Sequence, residues 1–231
     1  MRQVATEFLV FEDAEQLADE AARRILDSAA AAIAARGRFR IVLAGGTTPQ
    51  AVYGRLAERE ARWRNWEVYF GDERCLSPDD AERNSRVATL ALLGKVPIPE
   101  ARVHHIEAEL GPEFAALAYS PLVEAALPFD LVLLGMGEDG HTASLFPGHA
   151  IAEDALVIAV RAAPKPPSER VSLTPRALTA SREVLILVTG AGKREALAAW
   201  RAGADLPVTR VAGLGRTMVL VDRAAAGPGG W

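Results

Sequence analysis

Residues Asp130–Leu134, DLVLL, form a short, branched, apolar run that leads directly into GMGEDGH. A strand that is apolar on both faces needs a layer above and below it, as in a parallel sheet covered by helices. Three glycines interleaved with Glu138, Asp139 and His141 then free the backbone to bend where this strand leaves its sheet. In open α/β sheets, ligands sit at that carboxyl edge. The stretch 129–148 is therefore the candidate working site, and the other segments are read as its supports.

The same succession of strand and polar turn recurs along the chain. FRIVLA, residues 39–44, leads into Gly45-Gly46-Thr47-Thr48, with Pro49 opening a helix to about Arg59 and Thr48 expected as its N-cap. WEVYF, residues 66–70, ends in Gly71-Asp72-Glu73-Arg74-Cys75, and the strand 183–188 ends in Thr189-Gly-Ala-Gly-Lys193 before a helix to Trp200. Asp13 with Gln16 forms a capping box for an alanine-rich helix to about Ala35, stopped by Gly37, with Leu17, Ala21, Ile25, Ala29 and Ile33 on one face. Further helices are expected up to Leu93 and over 111–127, and further strands over 8–11, 103–106, 156–160, 170–173 and 218–221. This alternation predicts one α/β domain over residues 1–231, an open, mainly parallel sheet with helices on both faces. The tail 224–231 is small and Gly-rich, and is expected to fray.

A single cysteine, Cys75, excludes an internal disulfide and agrees with a reducing compartment. The first fifteen residues carry four acidic side chains and no sustained apolar stretch, and no later run is long enough to cross a bilayer, so a soluble cytoplasmic protein with no membrane partner is expected. With a net charge of −4 and no basic run, nucleic acid is not an expected partner. An anionic ligand would have to be met by a local cationic cluster.

GGTT presents free backbone N–H groups at the positive end of a helix dipole and reads either as a phosphate site or as an ordinary tight turn. Gly135-Met-Gly137-Glu-Asp-Gly140 satisfies G-x-G-x-x-G after a strand. Pro147-Gly148 interrupts the helix that should follow, and the next strand ends in Arg161 where an acid should hold a ribose, which excludes a dinucleotide fingerprint. Gly190–Lys193 resembles a P-loop fragment, but the first glycine falls on Leu187 and Arg194 replaces Ser or Thr; Lys193 remains a good phosphate ligand. Asp72, Glu73 and Arg74 read either as a solvated turn or as a second loop approaching the first. His141, between Gly140 and Thr142 and two residues from Asp139, is either a polar loop residue or a catalytic one. His104 and His105 lack metal-ligand spacing, His149 has no carboxylate or glycine context, and Cys75 reads as a packing residue.

Taken together, GMGEDGHTASLFPG, LAGGTTPQAVY, WEVYFGDER followed by Asn84-Ser85, the segment Glu169–Thr174 and TGAGK resemble the 6-phosphogluconolactonases of the pentose phosphate pathway, over roughly residues 42–200. The resemblance implies a Rossmann-like α/β fold shared with glucosamine-6-phosphate deaminase/isomerase and neither metal nor cofactor. It implies hydrolysis of a small phosphorylated sugar lactone, 6-phosphoglucono-1,5-lactone, to 6-phosphogluconate. On this basis His141 is the expected general base, with Asp139 preferred to Glu138 as the carboxylate that orients it. The phosphate is expected on Gly45, Gly46, Thr47 and Thr48 with Arg74, Arg170 and Lys193, and Asp72 in the substrate site; Arg170 rests mainly on the resemblance. Related deaminases carry a glutamate where this chain has Phe146, which favours the lactonase over a deaminase/isomerase. A sugar-phosphate sensor on the same fold would be expected to carry a DNA-binding segment, and none is recognisable here. Nothing in the sequence sets an oligomeric state.

Overall fold

The computed structural model describes residues 6–150, 152, 154–211 and 216–228. Six parallel strands make the central sheet: β1 (Thr6–Phe11), β2 (Phe39–Leu43), β3 (Trp66–Phe70), β5 (Phe129–Gly135), β8 (Ser181–Val188) and β9 (Arg216–Asp222). Their order is β1-β9-β8-β5-β2-β3. Residues 129–134 of β5 are all buried, as their continuous apolar character requires. From the β2–β5 pair the chain runs outward in opposite directions, to β3 on one side and to β8 and β9 on the other. That reversal leaves a crevice at the carboxyl ends of β2 and β5, the switch point where such sheets bind ligands.

Helix α1 (Ala14–Arg36) starts where Asp13 accepts a hydrogen bond from Gln16 N at 2.9 Å and stops at Gly37, whose φ of 75° is left-handed. Its expected inner face, Leu17, Ala21, Ile25, Ala29 and Ile33, is buried. Helix α2 (Thr47–Ala57) follows β2, and α4 (Pro112–Ala126) precedes β5. No helix among the described residues is long and apolar enough to cross a membrane.

Three strands depart from the parallel succession. β4 (Asp72–Arg74), β6 (Val157–Val160) and β7 (Arg170–Leu173) form a separate antiparallel sheet in the order β4-β7-β6. Only Gly71 separates β3 from β4, and only residues 161–169 separate β6 from β7. Neither connection is long enough for a parallel crossover.

Four local expectations are corrected, the first at Asp72–Arg74, which pair with β7 as strand β4 and form neither a turn nor a loop. Residues 103–106 form a single bridge, Val68 to Val103, and no strand. The Tyr119 hydroxyl, which accepts from Phe70 N at 2.9 Å and donates to His104 O at 3.1 Å, takes the groups that would extend the ladder. Thr48 is not the N-cap of α2: the cap is Gly46, which supplies no side chain, while Thr48 Oγ1 hydrogen-bonds Thr189 Oγ1 at 2.6 Å. The helix ending at Leu93 splits into α3 (Asn84–Ala88) and a π turn over Thr89–Leu93. In the tail, Asp222 caps a short helix, Arg223–Ala226, with Ala225 buried, and residues 229–231 lie outside the described residues.

Candidate active site

The turns after β2, β5 and β8 meet over the end of the central strand. The Thr48–Thr189 hydroxyl bond ties the first to the third across β5. The small sheet adds a wall, because its register sets Asp72 opposite Ser172 and Arg74 opposite Arg170. The result is a cleft of about 430 Å³ lined by Gly45, Gly46, Thr47, Thr48, Asp72, Arg74, His141, Arg170 and Lys193, together with Asn84, Phe146, Lys165 and Thr189. Of the residues expected in the site, only Asp139 is not part of this lining, and it reaches the cleft through His141.

The imidazole of His141 is placed by a carboxylate and by the absence of a side chain. Asp139 Oδ1 lies 2.5 Å from His141 Nδ1 and also accepts the His141 backbone N–H at 3.1 Å. Burial alone would raise the Asp139 carboxyl, but the backbone and ring hydrogen bonds from His141 outweigh it and hold the group below the ordinary aspartate value. Glu138 turns away: its Oε2 is 3.4 Å from Lys165 Nζ. Gly137 donates its N–H to His141 O at 2.8 Å, and a β-carbon there would fall 2.0 Å from His141 Nδ1. The Phe146 ring covers another side, 4.9 Å from the imidazole by centroids, and its own face carries the Arg170 guanidinium at 5.7 Å. After Gly140 the chain forms turns, so the helix that a dinucleotide fingerprint requires does not follow the third glycine.

The GGTT turn is uncapped. Asp13 and Thr174 cap their helices with side-chain oxygens, whereas α2 has no side-chain cap, so its first N–H groups remain available at the positive end of the helix dipole. The turn rests on Asn84: a β-carbon on Gly45 would lie 2.0 Å from Asn84 Oδ1. Asn84 in turn donates its amide to Asp72 O at 3.0 Å and Asp72 Oδ1 at 3.1 Å.

Asp72 and Glu73 have different roles, although the sequence groups them. Asp72 lines the cleft and accepts from Ser144 Oγ at 2.7 Å; burial pushes its carboxyl above the ordinary range against that bond. Glu73 faces inward, fully buried, and accepts the N–H groups of Arg74, Asn84 and Ser85, each at 2.8 Å, with Arg83 Nε 3.3 Å away. It is a structural clamp between β4 and α3. The Arg74 guanidinium donates to Glu82 O and keeps a buried Nε with no hydrogen-bond partner among the described residues.

His104 and His105 stack on Tyr69 and Phe70, and burial lowers both imidazoles. Cys75 is half-buried, and burial pushes its thiol up to about 11, which leaves it a poor nucleophile. Asn84, Thr189 and Lys165 also line the cleft, although no local signal in the sequence assigns them a role. Asn84 appeared only within the family-like segment, and Thr189 and Lys165 carry no spacing signal that ties them to His141.

The profile of the family described as glucosamine-6-phosphate isomerases/6-phosphogluconolactonase matches residues 12–219. The chain is 39% identical to a 6-phosphogluconolactonase of Mycobacterium leprae, covering 94% of this chain and 96% of the relative. It is 40% identical to one of Streptomyces coelicolor, covering 95% and 93%. The crystal structure of a 6-phosphogluconolactonase from Thermotoga maritima superposes with a TM-score of 0.89 at 32% identity, covering 94% of this chain and all of the other. With its fold, its cleft at the β2–β5 switch point and these likenesses in agreement, the chain belongs to the glucosamine-6-phosphate isomerase/6-phosphogluconolactonase family.

Proposed function

We propose that this protein hydrolyses 6-phosphoglucono-1,5-lactone to 6-phosphogluconate, the lactonase step of the oxidative pentose phosphate pathway, with His141 as general base. The observation that carries the reading is the His141–Asp139 pair, set in the same cleft as the uncapped GGTT turn and Lys193. The full-length relatives named for this activity support it.

A lactone is a cyclic ester, so its opening needs a deprotonated water and no covalent nucleophile. With Nδ1–H donated to Asp139, the neutral imidazole carries its lone pair on Nε2. Nε2 takes a proton from water as the water oxygen adds to the carbonyl carbon. When the tetrahedral intermediate collapses, the bond from that carbon to the ring oxygen breaks, and the imidazolium returns the proton to the departing oxygen. The phosphate, remote from the reacting carbon, is held by the N–H groups of Gly45–Thr48 and by Lys193, with Arg74 and Arg170 adding positive potential; Asp72 accepts a substrate hydroxyl. Binding energy gathered there fixes the lactone against His141.

Phe146 stands against the imidazole where a ring-opening glutamate would be needed by a deaminase, which favours hydrolysis. We place the reaction in the cytoplasm, in keeping with one unpaired cysteine, and assign it no nucleic-acid partner, in keeping with the net negative charge. The decisive experiment follows lactone loss above the uncatalysed background. His141→Ala should lower kcat by about 10²–10⁴-fold; a near-wild-type kcat at saturation refutes the base assignment. Ammonia release from glucosamine-6-phosphate without lactone hydrolysis refutes the lactonase itself.

A further inference from the structure

The chain has three lysines, Lys95, Lys165 and Lys193, and two of them line the cleft. Lys193 was expected there; Lys165 was not. Lys165 lies in the segment Pro164-Lys-Pro-Pro167 between β6 and β7, where Pro166 and Pro167 have no backbone N–H. The prolines offer carbonyls and no donors, so besides the Ala163 N–H bond to Ser168 O at 3.0 Å the loop is fastened through carbonyls that Arg170 binds. Arg170 Nε donates to Pro167 O at 3.0 Å, and Nη2 donates to Lys165 O at 2.9 Å and to Pro166 O at 3.3 Å.

A guanidinium has five N–H donors. Three of those of Arg170 are engaged by the loop, so only Nη1 is left to face a ligand. Arg170 is itself buried, with its guanidinium over the Phe146 ring, so the fastening point is rigid. The Lys165 ammonium, in contrast, is exposed and meets only Glu138 among the described residues, at 3.4 Å. An exposed pair of this kind is weak in water and is readily exchanged for a dianion.

We propose that Lys165 is a further phosphate ligand of this cleft, and that Arg170 is chiefly a positioning residue that holds Lys165 there. The proposal rests on the phosphorylated-lactone reading and deepens it. An ammonium at the mouth of the cleft adds a charge-assisted contact to the phosphate and none to the reacting carbonyl. Lys165 is thus a determinant of specificity for phosphorylated over unphosphorylated lactone.

The test compares kcat/KM for 6-phosphoglucono-1,5-lactone with that for glucono-1,5-lactone in wild type, Lys165→Met, Lys165→Arg, Arg170→Met and the double variant. Lys165→Met should lower the ratio of the two values by roughly 10- to 100-fold, the size of one charge-assisted hydrogen bond, through KM for the phosphorylated substrate. Lys165→Arg should retain most of the ratio. Arg170→Met should lower it as well, and the double variant should fall no further than Arg170→Met alone, because a displaced Lys165 has nothing left to lose. An unchanged ratio in Lys165→Met overturns the ligand assignment while leaving the lactonase reading intact. Independent, multiplicative losses in the double variant overturn the positioning role of Arg170. If the wild type hydrolyses neither lactone, the functional reading fails, and Lys165 is judged by calorimetric binding of 6-phosphogluconate; equal affinity in wild type and Lys165→Met then overturns it.

Discussion

The imidazole of His141 occupies the space that a side chain on Gly137 would need, and Gly137 N closes the same loop on His141 O at 2.8 Å. The glycine that looked like part of a dinucleotide fingerprint therefore serves the histidine. Gly137→Ala should force the ring off Asp139 and lower kcat by roughly 10²-fold, the effect of about 1 Å of misplacement. Overpacking should cost about 1–3 kcal/mol of stability. Steady-state kinetics beside a urea melt separate the two effects, and a wild-type kcat in a folded variant would show that the loop relaxes.

Lys193 opens toward the cleft after β8, on the opposite side of β5 from the GGTT turn. Lys193→Ala should weaken binding of the phosphorylated lactone by about 1.5–3 kcal/mol, as for a lost charge-assisted hydrogen bond, with a small change in kcat. An unchanged KM would remove Lys193 from the phosphate site.

Glu73 is expected to matter for the fold more than for the chemistry. Its carboxylate satisfies three backbone N–H groups and faces the buried Arg83. Glu73→Ala strands all of these and should cost about 3–5 kcal/mol in chemical denaturation. A loss below about 1 kcal/mol would mean that water or rearrangement replaces the carboxylate.

Asp72 makes a prediction about pH. Burial raises its carboxyl above the ordinary value of 3.8, so the folded chain holds this proton more tightly than the unfolded chain does. Its contribution to stability is full below the unfolded value and is lost as pH rises through the raised one. Asp72→Asn removes that loss, and its amide can still accept from Asn84 and donate to the Ser144 hydroxyl. The melting temperature of Asp72→Asn relative to wild type should therefore climb as pH rises above about 4, the unfolded aspartate value; a constant difference would show that Asp72 is not the titrating group.

The local pattern made most of the central sheet legible. β3 falls on the expected residues, and β2 and β5 fall within one residue of them at either end, because runs such as WEVYF and DLVLL have no alternative that buries them. Asp13 and Gly37 bounded α1 as a cap and a left-handed stop do in any sequence. Local pattern misled at two places where a group from a distant segment competed for the same hydrogen bonds. Thr48 exchanged an N-cap for Thr189, 141 residues away, and the strand at 103–106 was cut short by the Tyr119 hydroxyl.

The sequence by itself determined the strands of the central sheet, their glycine-bearing turns and the chemical types gathered there, because these depend on neighbours a few residues apart. It marked His141, Asp139, the GGTT turn and Lys193 as candidates. Only the tertiary structure decided that these turns meet at one switch point, that Glu73 faces inward while Asp72 faces the cleft, and that Arg170 grips the loop bearing Lys165. Those outcomes depend on strand order and register, which bring residues far apart in the chain into contact, and no local spacing encodes that distance.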